Sequence, residues 1–94
     1  MEMAKRIEQK LRARLDPTRL EIFDDSEQHH GHAGWSPGGE THFRLEVVSA
    51  AFQGQGRVAR QRLVYEILAE ELAERVHALQ LQTLTPEEDR ADAG

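Results

Sequence analysis

Histidine and arginine are the residues of this chain whose types and spacing suggest chemistry. Five histidines occur in 94 residues, and four of them, His29, His30, His32 and His42, fall within fourteen positions. The fifth, His77, stands alone. There is no cysteine, which excludes a disulfide framework, a cysteine zinc finger, a thiol nucleophile and any iron–sulfur cluster held by the chain's own thiolates. Imidazole is then the strongest borderline ligand available, and it titrates near neutral pH. Two readings of the histidine cluster stay open: a metal site, or a polar loop that tolerates histidine as readily as serine. Its spacing matches no zinc motif. His42 falls on the wet face of an expected strand and reads as a surface residue rather than a ligand.

Arg57, Arg60 and Arg62 follow a glycine-broken segment where a helix begins. Cations beside free backbone amides favour an anion: a phosphate, a carboxylate such as that of glutathione, or an acidic partner. A solvated helix face is the alternative. Asp24-Asp25 reads as a strand-ending turn rather than an acid/base pair. With no nucleophile elbow and no phosphate-cradling loop motif, an enzyme is not expected.

These groups must be positioned by a small number of elements. Met3, Ile7, Leu11 and Leu15 recur at spacing four, one apolar stripe of a helix over residues 2–15. Asp16-Pro17 ends it, because a residue before proline avoids the helical region. Leu20 and Ile22 alternate with charges in a short strand over 19–25, and a glycine-rich loop fills 26–41. His42 to Val48 alternates cleanly, with Phe43, Leu45 and Val47 on one face, and reads as a half-buried strand. Residues 49–56 form a turn. Arg57 to Val76 reads as one long amphipathic helix, and Ala78 to Leu84 as a third strand. A strand–helix–strand connection is almost always right-handed, so the third strand should lie parallel to the second. The expected architecture is α+β: a single two-layer domain with a mixed three-stranded sheet, covered on one face by two helices.

Composition bounds the rest. The chain carries 12 basic and 17 acidic residues, net −5, but the charge is uneven. Residues 1–19 hold six bases against three acids, whereas residues 85–94 hold four acids against Arg90 alone. The folded domain is expected over 1–85, with 86–94 an acidic tail without structure. No apolar stretch is long enough to span a membrane or form a signal-peptide core, so no membrane partner and a cytoplasmic location are expected.

Several stretches together resemble the BolA family. They are Gly39-Glu40-Thr41-His42-Phe43, Val47-Val48-Ser49, Phe52-Gln53-Gly54, Arg60-Gln61-Arg62-Leu63-Val64-Tyr65, and Leu72-Ala73 through Val76-His77-Ala78-Leu79-Gln80-Leu81. The likeness runs in order from about Ile7 to Thr85. The resemblance implies a fold like the second type of KH domain, and it implies a partner. Proteins of this family bind monothiol glutaredoxins and share a bridged, glutathione-containing [2Fe–2S] cluster with them, in iron homeostasis and stress response. On that likeness His77 is the first choice of metal ligand. His29 is the second, aligning best with the family's loop ligand, and His30 and His32 are the alternatives. Arg60 and Arg62 are candidates on the cofactor side. No cluster is expected in the isolated chain, which would be a monomer or weak homodimer.

The resemblance also implies a second role, transcriptional regulation by DNA binding through the helix-turn-helix-like segment 51–72, with Arg57, Arg60 and Arg62 approaching phosphate. The sequence departs from pattern at Gly54-Gln55-Gly56-Arg57, which is not the Gly-x-x-Gly loop of a KH domain. It departs again at Gln61, which lies where a histidine is usual.

Overall fold

The computed structural model describes residues 2–25 and 42–93. The expected ligands His29, His30 and His32 lie outside these described residues. In chain order the elements are α1 (Glu2–Leu15), β1 (Arg19–Asp24), β2 (His42–Val48), a 3-10 turn (Ala50–Phe52), α2 (Arg57–Ile67), α3 (Ala69–Glu74), β3 (Ala78–Leu84) and α4 (Pro86–Ala93). The sheet order is β1-β2-β3. β1 runs antiparallel to β2, with Leu20 opposite Val47, and β3 runs parallel to β2, with His42 opposite Ala78 and Val48 opposite Leu84. The fold is therefore α+β with a mixed three-stranded sheet, as expected.

The core forms where the two periodicities meet. All four residues of the α1 stripe are buried, and they pack with Phe43, Leu45 and Val47 of β2 and with Phe52, Val64, Ile67, Leu68 and Val76. The other sheet face carries charge: Arg19 pairs with Glu21, Glu46 and Asp89, and Arg44 pairs with Asp25 and Glu46. Arg44 also lies over the Phe23 ring at 4.1 Å. Buried Ser49 closes the far corner. Its hydroxyl donates to the Leu15 carbonyl at the end of α1 and accepts from the Ala51 N–H, capping the 3-10 turn.

Two expectations need correction. The long helix expected over 57–76 breaks at Leu68, whose φ and ψ of −101° and 19° leave the helical region. Its second part stops at Glu74, and no glycine or proline marks the break. The break falls where Glu71 turns inward, to a side chain only 1% exposed. Arg6 Nε donates to Glu71 Oε2 (3.1 Å) and Lys10 Nζ donates to Oε1 (3.0 Å), which ties the segment after the break to α1. The tail expected to be structureless over 86–94 forms α4. Thr85 and Glu88 make a reciprocal cap: the Thr85 N–H donates to Glu88 Oε1 (2.8 Å), and the Glu88 N–H donates to Thr85 Oγ1 (3.2 Å). Pro86 at the first helical position suits that start.

Burial pushes the Glu71 carboxyl up, but the Lys10 hydrogen bond, its own backbone N–H and the Lys10 and Arg6 charges outweigh it and hold it below its ordinary value. Removing both cations, as in Arg6→Met with Lys10→Met, leaves a buried carboxylate uncompensated and should cost about 3 kcal/mol. Glu71→Met, which leaves two cations that still reach water, should cost less. Midpoints of urea unfolding for the two variants check this ordering.

Candidate functional site

His77 lies in the short link between α3 and β3, and its position follows from both flanks. On one side the Glu71 carbonyl accepts from the N–H groups of Arg75 and Val76, each at 3.1 Å, closing the helix end. Val76 is then buried in the core, while His77 is exposed. On the other side Ala78 enters the sheet opposite His42. The next residue after a buried anchor is thus turned outward at the start of a strand.

His42 is not the surface residue expected from strand alternation. It is 7% exposed, and its ring centroid lies 6.4 Å from that of His77, with the planes 43° apart. Alternation assigned its face but not its neighbours. As the first residue of the central strand it is hemmed in by the ends of both flanking strands, and its carbonyl accepts from the Asp25 N–H at 2.8 Å. The structure therefore brings together two imidazoles that lie 35 positions apart in the sequence. Among the described residues no group of three or more His, Asp or Glu side chains is arranged to hold a metal.

The three arginines do not act as one patch. Arg60 is committed internally: Nε donates to the Gln55 carbonyl (2.8 Å), and Nη1 donates to the Thr83 carbonyl (3.1 Å) and to Glu88 Oε1 (2.7 Å). Its side chain is only 13% exposed. Arg57 and Arg62 are exposed and make no ion pair among the described residues. Arg57 and Arg60 line a groove of about 770 Å³ between α2, β3 and α4, and Arg62 does not. Asp24-Asp25 does end β1 as expected, and the Asp25 carboxylate accepts from Arg44 Nε at 3.2 Å.

Sequence reasoning missed Glu71, which shapes the turn before His77. The signal was present: Val64, Leu68 and Glu71 continue one helical stripe, so an acid occupies an apolar register. It also missed the clasp between Arg60 and Glu88.

Fold and site define a small α+β domain that presents an exposed histidine at one end of its sheet. The family model described as BolA-like protein matches residues 11–88, and the chain belongs to that family. It is 51% identical over 87 residues to SufE-like protein 1, chloroplastic/mitochondrial, of Arabidopsis thaliana, covering 88% of this chain and 24% of that protein. It is 44% identical over 88 residues to the DNA-binding transcriptional regulator BolA of Escherichia coli, covering 94% of this chain and 80% of the relative. The solved structure of BolA1 from Arabidopsis thaliana superposes with a TM-score of 0.82 at 42% identity, covering 92% of this chain and 94% of that one. The chain spans about a quarter of SufE-like protein 1 and 54% of Protein BOLA1, chloroplastic, so it matches a part of each. No helix among the described residues is long and apolar enough to cross a membrane. The names of two relatives place them in chloroplasts or mitochondria, so kinship lends no support to the cytoplasmic expectation.

The Arg60 guanidinium, with the Thr85 N–H, holds the Glu88 carboxyl down to about 2 from its ordinary 4.5. A carboxylate depressed on folding contributes stability that is present above its unfolded value and is lost as pH falls through its folded one. The docking of α4 should therefore weaken from about pH 4.5 down to about pH 2. Backbone amide protection in α4, followed by hydrogen exchange across that window, should fall there, and Glu88→Gln should reduce that pH dependence to the part set by Asp89, which Arg19 also holds below its ordinary value.

Proposed function

We propose that the protein is an adaptor that binds a monothiol glutaredoxin and contributes His77 to a glutathione-containing [2Fe–2S] cluster bridging the two proteins. One observation carries this reading: an exposed imidazole held on a fixed link, next to a second imidazole, at one end of the sheet. The donor set fits such a group. A chain without cysteine offers nitrogen rather than thiolate ligands, and the missing thiolates belong to the partner and to glutathione. The second ligand of this reading is a loop histidine, His29 first, with His30 and His32 as alternatives. When bound, a cluster with histidine ligands supplies one-electron chemistry at a potential above that of an all-thiolate cluster.

The chain's own residues then have separable roles. Glu71 fixes the turn that projects His77. His42 lies against His77 and narrows the space open to that ring. Because only the deprotonated imidazole ligates, binding at His77 is opposed by acid. Mixing the protein with a cluster-loaded monothiol glutaredoxin should change the visible absorption and circular dichroism. His77→Ala, at an exposed position that the fold does not need, should abolish that change. A spectrum indifferent to His77 sinks the reading.

A second reading, binding to DNA, is favoured by the name of the Escherichia coli relative and by the exposed cations Arg57 and Arg62, which make no ion pair among the described residues. Arg60 adds little to it while clasped by Glu88. Two phosphate contacts give a log–log slope of affinity against salt near −2, since each contributes about −0.9. Fluorescence anisotropy with duplex DNA should return that slope, and replacing Arg57 and Arg62 together by alanine should flatten it.

A further inference from the structure

At the other end of β3 from His77 lies the groove bounded by α2 and α4. β3 is an edge strand. In a parallel pairing the N–H and C=O of one residue point to the same side, and successive residues alternate. The Leu84 carbonyl accepts from the Ser49 N–H at 2.9 Å, so the even positions face β2. The Leu79 carbonyl accepts from the Tyr65 hydroxyl (3.4 Å) and the Thr83 carbonyl from Arg60 Nη1 (3.1 Å), so the odd positions face outward. Two of the three outward carbonyls are thus taken by side chains of α2. The N–H groups of Leu81 and Thr83 turn to the groove, and with them only one carbonyl, that of Leu81.

Open edge strands are commonly protected by charge, yet Ala78–Leu84 contains no charged residue. The charge is on the wall. Arg57 lines the groove without an ion pair among the described residues, and Arg60 already holds a carboxylate there, that of Glu88. The helix carrying Glu88 contributes no described residue to the apolar core. It is held by two arginine–carboxylate pairs, Arg60 with Glu88 and Arg19 with Asp89 at 2.8 Å, and by its cap. The groove is therefore rich in donors and cations, poor in acceptors, and filled at its cationic point by an exchangeable carboxylate.

We propose that this groove binds an extended, carboxylate-rich peptide segment of a partner protein as an added strand along β3, and that Glu88 is the carboxylate it displaces from Arg60. Strand addition gives affinity through backbone hydrogen bonds, and alternate side chains give specificity. Carboxylates at every second position of the added strand would reach the α2 wall. The site is separate from His77 and does not depend on the cluster-sharing reading.

The probe is a fluorescein-labelled octapeptide of alternating valine and glutamate, titrated by anisotropy and by amide chemical shifts of the isotopically labelled protein. Shifts at the Leu81 and Thr83 amides are expected. Glu88→Gln removes the internal competitor and should tighten binding roughly threefold to tenfold, because affinity scales with the fraction of molecules whose site is open. Arg57→Glu, at an exposed side chain, should weaken binding by about tenfold and keeps the test decisive if the first variant unfolds. His77→Ala should leave peptide binding unchanged. Absence of shifts at those two amides overturns the proposal, as does an affinity indifferent to both Arg57 and Glu88. Tighter binding of a single-stranded thymidine oligonucleotide at the same amides also overturns it, reassigning the groove to nucleic acid.

Discussion

A single buried residue ties the helical layer together through its carboxylate and sets the direction of the histidine through its backbone carbonyl. Glu71 meets Arg6 and Lys10 of α1 through its side chain, and Arg75 and Val76 through its carbonyl. The first pair of contacts locks α3 to α1 over a sheet that neither helix could cover alone. The second ends the helix and turns the chain so that Val76 points in and His77 points out. A buried ion pair is a weak source of net stability, because desolvation offsets most of the attraction. Its value here is geometric, since it sets α3 against two cations of α1 at once.

The parallel pairing of β2 with β3 imposes the other constraint. A parallel strand cannot follow its neighbour through a tight turn, so the chain must cross the sheet and return to the starting end. α2 and α3 make that crossing, burying Val64, Ile67 and Leu68 on the way. The return delivers His77 beside His42 at one end of the sheet and Leu84 beside Val48 at the other. The edge strand therefore has two ends of different character. One carries imidazoles, and the other carries arginines already engaged with carboxylates of the same chain.

Much of this was legible in the residues. Spacing of four in α1 and strict alternation in β2 each name one buried face, and the rule for strand–helix–strand connections gives the parallel pairing. Family likeness at His77 and around Phe52-Gln53-Gly54 leads to the BolA-like assignment. What resisted reading was tertiary. The break at Leu68 carries no glycine or proline signal, and the segment after it is tied through Glu71 to cations more than 60 positions from that residue. The burial of His42 depends on which strands flank it, and periodicity carries no such information. Residues 86–94 look like a solvated acidic tail until Arg60 and Arg19 are placed opposite Glu88 and Asp89. Charge counted along a chain misses partners that only folding brings near. Arg60 shows the same limit in reverse, because its type and position suggested a cation free for a ligand.

The docking of α4 by charge has a thermodynamic consequence of its own. Heat capacity changes on unfolding follow the exposure of apolar surface, and α4 contributes no described residue to the core. Release of this helix alone therefore changes the heat capacity of the protein little. Salt weakens such charge pairs, but at 2.7 and 2.8 Å the two pairs lie well inside the Debye length of about 8 Å at physiological salt and are only partly screened. The C-terminal helix is thus held by charge, while the domain beneath it is held by its apolar core.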